Sequence, residues 1–502
     1  MATIDSIESY IDDIEGEVIH PDDEGYDQAR DIWNSALAGA PDVIVQPAVS
    51  SDVQSVVDCV REEDLLLSVK GGGHDYAGNS SRDDALMVDF SELDHVEVDP
   101  DEQVVEVGPG ATWREVYAVL HEHGVITPGG GSGVGVAGFT LGGGIDMFLA
   151  RKYGLTVDNL RAVDLVTANG EEVRASADEN PDLFWGICGS GWNFGVATSF
   201  EFDLYEFDPE VLTGRFLHPV EDIGEVLRFY RDRVADASND FGFTASIMDL
   251  GGREDLPPEM TAQPMVDVTA VYLGPAEQGQ DEIYSMRSFG EPIMHEIGTQ
   301  ELPAVKNRSD AIFAGEQINH WYTRAHCLDE LSDGAIDVIE QYTSEFPEAR
   351  KIVIPIIPLD GAVTERDPDA TAFPFRDSAF DFNISVEWAD PERKAGIKSW
   401  VQEFHEEMEP YSDGVYVNTL SYDEGDRVEE AYGDNYDDLA KLKAEWDSEN
   451  LFRSNHNIEP DHEAVTDEET PGFGVGSALA GVGSLGYMLK RRLDGSGQEK
   501  NS

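Results

Sequence analysis

The stretch Val69-Lys70-Gly71-Gly72-Gly73-His74-Asp75-Tyr76-Ala77-Gly78 follows the apolar run Leu65-Leu66-Leu67 and precedes a second strand-like run, Ala85-Leu86-Met87-Val88-Asp89. Successive glycines allow a backbone turn with φ > 0 and bring bare N–H groups within reach of a phosphate, because no Cβ stands in the way. A histidine on the end of such a loop is held against whatever the loop binds. Gly71, Gly72, Gly73, His74, Asp75 and Gly78 are therefore the first candidate ligand-binding residues. The same run also describes an ordinary turn with a surface histidine, and the rest of the chain decides between the two.

Upstream, Asp42-Val-Ile-Val-Gln-Pro47 reads as a short strand stopped by proline. Ser51 with Gln54 reads as a capping box, and Val53, Val56, Val57 and Val60 form the stripe of an amphipathic helix. The order is strand, helix, strand, glycine loop. Downstream, the strand Val104–Val107 and the turn Gly108-Pro109-Gly110 lead to a second capping box at Thr112 and Glu115, which opens a helix bearing Val116, Val119 and Leu120. His121 and His123 close that helix beside Gly124. With no third ligand in view they are read as helix-end histidines, not as a metal site.

A second glycine-dense stretch runs from Thr127-Pro128-Gly129 through Ser132 and Gly133 to Gly142-Gly143-Gly144. Gly133, Gly135 and Gly138 match G-x-G-x-x-G, and Asp158 stands where an acidic ribose partner is wanted. The context fails the match, because the motif follows more glycine and not an apolar strand. The better reading is a second backbone wall along which a long ligand lies flat. A third cluster, Gly189-Ser-Gly-Trp-Asn193-Phe194-Gly195-Val196, follows a strand-like run at Ala162–Thr167.

At 502 residues, two or three domains are expected. Lys+Arg 33 against Asp+Glu 102 gives a formal net charge of −69, spread along the whole chain. That balance excludes a nucleic-acid partner, whose phosphates would be repelled. Hydrophobic periodicity argues against disorder, so the acidity reads as the solvated shell of a folded protein and resembles the adaptation of extreme halophiles. Cys59, Cys188 and Cys327 are too scattered for a disulfide framework, and the first residues lack the basic and apolar regions of a signal peptide. A cytoplasmic location is expected. In the tail, an apolar Gly-rich stretch ends at Lys490-Arg491-Arg492. It reads as a flexible soluble segment, the alternative being membrane contact through residues 471–492.

Composition divides the chain into an N-terminal extension (1–37) that packs on the surface and carries no chemistry, a glycine-clustered unit (38–207), a middle domain (208–410) and a C-terminal segment (411–460). An acidic spacer and apolar tail follow (461–502). Long strands at 266–273, 352–357 and 382–388 make the middle domain an antiparallel sheet with helices, so the fold class is α+β. Lys394 to Met408 reads as a helix, and Gly414-Val-Tyr416-Val-Asn418 as a strand that turns Tyr416 and Asn418 inward on one face.

Lys70-Gly-Gly-Gly-His74, Gly108-Pro-Gly-Ala-Thr-Trp113, Thr127-Pro-Gly129, Gly135-Val-Ala-Gly-Phe-Thr-Leu-Gly-Gly-Gly144, Tyr153-Gly-Leu-Thr-Val-Asp-Asn159, Asn180-Pro-Asp-Leu-Phe-Trp185 and Asn193-Phe-Gly195, in this order, resemble the FAD-linked oxidases of the vanillyl-alcohol-oxidase superfamily. Tyr416-Val-Asn418, Trp446-Asp447, Asn450-Leu-Phe-Arg453 and Asn455-His-Asn457-Ile458 resemble the C-terminal segment of its berberine-bridge-enzyme-like group. The resemblance implies a two-subdomain FAD-binding domain of the PCMH type, with its flavin ring facing a substrate domain whose antiparallel sheet is covered by helices. It implies cofactor contacts at Gly71, Gly72, Gly73, His74, Asp75, Gly78, Pro128, Ser132, Gly133, Gly138, Gly142, Gly143, Val196, Asn418 and Asn457.

His74 matches the histidine that bonds to the flavin 8α-methyl group. The position of a second, cysteinyl link reads Gly131, so one covalent link is expected, and Cys188 reads as a buried small hydrophobe. Tyr416 matches the base that removes a substrate hydroxyl proton while hydride passes to flavin N5, and Tyr153, His320 and Arg376 are weaker candidates for the substrate face. Where the family commonly has a histidine before the arginine, this chain has Phe375. The expected activity is oxidation of an alcohol, sugar or secondary metabolite, with dioxygen as acceptor and hydrogen peroxide as product. A same-fold dehydrogenase with another acceptor, and a flavin-binding surface protein without turnover, are the alternatives.

Overall fold

The computed structural model describes residues 14–463 except 252, 254–255, 257 and 314–319, together with residues 7, 10 and 11. The strands on either side of the glycine loop, Leu66–Lys70 and Ala85–Asp89, pair in parallel, and Ala85–Asp89 also pairs in parallel with Val43–Gln46. Parallel neighbours need a crossover. Here it is the helix Ser50–Glu63, which buries Val53, Val56, Val57 and Val60. Its start differs from the expected capping box. The Asp52 carboxylate accepts the N–H groups of Ala48 and Val49 at 2.9 and 3.3 Å, while the Gln54 amide donates outward to the Gly170 carbonyl at 2.8 Å. A carboxylate is the stronger acceptor, and it captures the helix N-terminus.

The N-terminal extension is not a surface appendage. The Asp52 carboxylate also takes the N–H groups of Glu15 and Gly16, and Glu17–Ile19 pairs antiparallel with Val43–Gln46 as the edge of this four-stranded sheet.

A second sheet has five antiparallel strands in the order Val96–Asp99, Val104–Val107, Gly195–Asp203, Leu160–Thr167, Glu172–Ser176. Against it lies the helix Trp113–His123, opened by the expected box: the Thr112 N–H donates to Glu115 Oε2 at 2.7 Å.

The third sheet is eight-stranded, and its pairings are all antiparallel. Its central strands include Phe241–Asp249, Met265–Tyr272, Lys351–Pro358 and Phe380–Glu387. Alternation along them separates two faces. Phe243, Ala245, Ile247, Ile354, Phe382 and Ile384 bury against the helices Ile223–Asp236, Asp333–Thr343 and Lys394–Met408. The opposite face carries Thr244, Ser246, Asp381, Asn383 and Ser385 and looks onto the glycine loops. The segment around Tyr416 differs from its expected conformation: the edge strand Ser412–Gly414 ends at Gly414, and Val417–Thr419 forms one 3-10 turn. The apolar tail lies outside the described residues. Among those described, no helix is long and apolar enough to cross a membrane.

Candidate active site between the glycine loops and the central sheet

A cavity of about 880 Å³ separates the polar face of the eight-stranded sheet from the two glycine stretches. Those stretches touch through bare backbone. A Cβ on Gly72 would lie 2.4 Å from Gly135 Cα, and one on Gly71 would lie 2.7 Å from the Pro109 carbonyl oxygen. Gly71, Gly72, Gly73, His74 and Gly133 line the cavity.

Asp75 shapes the loop from behind, its carboxylate accepting the N–H groups of Ala77 and Ser80 at 2.8 and 2.7 Å. Gly78 has φ +77°, a conformation that favours glycine. Pro128 and Ser132 are buried beside the wall, and the Ser132 hydroxyl donates to Asn307 Oδ1. Gly138 sits in the short helix Val136–Leu141 with open space on its Cβ side. A Cβ on Gly142 would lie 2.1 Å from Asn418 Oδ1, and one on Gly143 would lie 2.6 Å from the Phe373 ring. Val196 is buried in the core between the first two sheets, against Val166 and Leu451. Asn457 Oδ1 is buried without a hydrogen-bond partner.

Tyr416 reaches the cavity from the far end of the chain. Its hydroxyl oxygen accepts the Gly144 N–H at 3.0 Å and the Asn418 amide at 2.6 Å. Burial pushes its pKa well up; the Gly144 N–H opposes that, the Asp381 charge adds to it, and Asn418 again opposes it. Asp381 lines the same cavity on the opposite sheet face. Its Oδ2 accepts the Asn383 amide at 2.7 Å, whereas Asp381 Oδ1 and Asn383 Oδ1 are buried with no partner. Burial raises the Asp381 pKa to about 7, with the Asn383 donor opposing.

Three weaker candidates lie elsewhere. Tyr153 packs on Tyr205 with ring centroids 4.5 Å apart, away from the cavity lining. The Arg376 guanidinium is fully buried in a paired contact with Asp158, at 2.6 and 3.1 Å. His320 stacks on Trp388 at 5.5 Å. Cys188 is buried, and desolvation pushes its thiol pKa up, so it behaves as a core residue.

Residues 41–176 match the model of the FAD binding domain family, and residues 415–459 match the family described as berberine and berberine like. An FAD-linked oxidoreductase of Dictyostelium discoideum is 30% identical over 463 residues, covering 90% of this chain and 97% of its own length. This chain belongs to the berberine-bridge-enzyme-like FAD-linked oxidoreductases. Xylooligosaccharide oxidase of Thermothelomyces thermophilus is 27% identical to this chain over 459 residues, covering 85% of this chain and 89% of its own length. The solved 6-hydroxy-D-nicotine oxidase of Arthrobacter nicotinovorans superposes with a TM-score of 0.80 at 25% identity, over 89% of this chain and 98% of that one.

The residues present fit FAD. Gly72 and Gly135 pack backbone on backbone with no room for a Cβ, so the cavity wall there is bare main chain, and the C-terminal segment is fastened beside the loop: Ser454 Oγ donates to the Asn79 carbonyl at 3.4 Å, and the Asn455 amide donates to the Trp192 carbonyl at 2.9 Å. Around that seam Ser80 Oγ, Ser81 Oγ, Asn455 Oδ1 and Asn457 Oδ1 are buried and unpartnered, the state of a lining built to meet polar atoms of a bound molecule.

Three features of the oxidoreductase site were not anticipated. Asp381 and Asn383 had a signal in the strict alternation of Phe380-Asp-Phe-Asn-Ile-Ser-Val-Glu387, where acid and amide interrupt an apolar strand. Lys306 had none: its ammonium is buried against the glycine wall, donating to Asp146 Oδ2 at 2.6 Å, the Tyr117 hydroxyl at 2.9 Å and the Gly129 carbonyl at 3.2 Å. Trp33, from the extension, lines the cavity and stacks on His74.

Proposed function

We propose that this FAD-linked oxidoreductase carries its flavin on a single bond to His74 and oxidises a hydroxyl-bearing small molecule, an alcohol, a sugar or a related metabolite. Dioxygen is the acceptor in this reading. The observation that carries it is the juxtaposition, in one cavity, of the Tyr416 hydroxyl and the Asp381 carboxyl with the glycine wall that ends in His74. When bound, FAD supplies the acceptor for a hydride at its N5 position.

The chain's own part is to manage the proton. Two donors aimed at the Tyr416 oxygen leave its O–H as the group it gives away, and the same donors stabilise the oxygen as it gains charge. Asp381, with a pKa of about 7, is ready to hold a proton near neutrality. Tyr416 and Asp381 thus act as one acceptor for the substrate hydroxyl proton. The unpartnered oxygens Asp381 Oδ1 and Asn383 Oδ1 are acceptors, which suits a substrate that presents several hydroxyl donors.

Anaerobic addition of alcohols and sugars to the yellow protein tests the reading. A substrate bleaches the flavin absorbance, and admission of air restores it with one hydrogen peroxide per turnover. Bleaching that only an added dye reverses identifies a dehydrogenase, and no bleaching by any of them removes the catalytic reading. Fluorescence of the denatured, acid-soaked band, present in wild type and absent in His74→Ala, tests the link.

A further inference from the structure

The extension that precedes residue 41, outside the matched FAD-domain segment, is bound directly to the glycine loop. The Trp33 backbone N–H donates to the Gly73 carbonyl at 2.9 Å. Four residues earlier, the Ala29 carbonyl accepts the Lys70 ammonium, which also pairs with Asp89 at 3.2 Å. One residue later, the Asn34 amide donates to the Trp321 carbonyl at 3.4 Å, across to the eight-stranded sheet. So held, the Trp33 indole lies on the His74 imidazole with centroids 4.4 Å apart and planes inclined by 28°. Its edge is braced by Trp321 at 5.0 Å and Tyr76 at 5.3 Å.

Both imidazole nitrogens carry their lone pair or proton in the ring plane. A flat partner on the face therefore fixes the plane in which a nitrogen can attack, while leaving the ring edge clear. Gly73, with φ +69° and no Cβ, leaves the backbone before His74 free to turn, and the stack on Trp33 restrains the imidazole that follows it.

We propose that Trp33 is a positioning residue for flavin attachment, orienting His74 for its bond to the 8α carbon. The proposal rests on the covalent reading above. In the step it serves, one C–N bond forms; the 8α carbon and the imidazole each give up a hydrogen, and the two electrons and two protons pass to the isoalloxazine ring. Dioxygen then removes them as hydrogen peroxide. Orientation of a reacting pair is worth orders of magnitude in rate, and a displacement of about 1 Å costs roughly a hundredfold.

The test reconstitutes flavin-free full-length protein with FAD in air and follows band fluorescence on denaturing gels over time. Trp33→Leu and Trp33→Met remove the ring; Trp33→Phe retains it. The expected result is that both ring-less variants bind FAD and turn yellow but form the covalent bond at least tenfold more slowly, with Trp33→Phe within about threefold of wild type. Attachment at the wild-type rate in the ring-less variants overturns the proposal, as does a Phe variant as slow as Leu. Loss of FAD binding in both ring-less variants also overturns it, because Trp33 is then structural. A dark wild-type band from yellow protein instead fails the covalent reading itself.

Discussion

The Asn418 side-chain amide donates to the Tyr416 hydroxyl at 2.6 Å and to the Phe139 carbonyl at 3.1 Å, tying the C-terminal segment to the helix Val136–Leu141 within the second glycine stretch. Gly142 is packed against that amide so closely that a methyl there would displace it. Tyr416→Phe keeps the ring and removes the proton path, so flavin reduction by substrate is expected to slow by about 10²–10⁴-fold. Asn418→Leu removes one of two donors and is expected to cost about 10-fold to 100-fold. Stopped-flow reduction under anaerobic conditions measures both, and reoxidation by air in the same variants is expected to be unchanged.

Asp381 sets a pH dependence. With its pKa near 7, flavin reduction is expected to rise as the pH increases through about 7, and Asp381→Asn to lose that limb along with most of the rate. Stability runs the other way. The folded-state pKa lies above the unfolded value of about 3.9, so this group's contribution is complete below that value and is lost as the pH rises towards 7. Asp381→Asn is therefore expected to flatten the thermal midpoint across this window, read by differential scanning calorimetry.

Gly72→Ala tests the cradle. Its new Cβ meets backbone, the Gly135 Cα at 2.4 Å, with no flexible side chain to give way. The two glycine stretches must separate, and the variant is expected to emerge colourless, with loss of most FAD by absorbance. Gly396→Ala, exposed on the helix Lys394–Met408 with nothing within 4 Å of the added carbon, is the matched control and is expected to stay yellow.

The net charge of −69 predicts a steep salt requirement. Repulsion among exposed carboxylates acts over a Debye length of about 10 Å at 0.1 M salt and only about 3 Å at 1 M. The thermal midpoint is expected to climb by several degrees or more between these concentrations. Potassium and sodium chloride are expected to act alike if screening is the cause. A midpoint that does not move with salt would remove the halophilic reading.

What lies close along the chain was legible. The glycine loop, the valine stripe of Ser50–Glu63 and the Thr112–Glu115 box depend on neighbours within a turn or two, where backbone freedom, periodicity and capping act before any tertiary contact forms. The ordered motifs carried the family, which residues 41–176 and 415–459 match.

Tertiary structure decided the rest. Asp52 displaced the Ser51–Gln54 box because Glu15 and Gly16 bring N–H groups to the same carboxylate. Arg376 left the substrate face because a buried Asp158 claims it. Trp33 meets His74, and Asp381 shares a cavity with Tyr416, only after separate sheets pack together. The sequence by itself determined where the backbone bends at glycine and where the apolar stripes run, since those are local energies. Which side chains face one another across the cavity follows from the burial of three sheets against their helices, and no local pattern encodes that encounter.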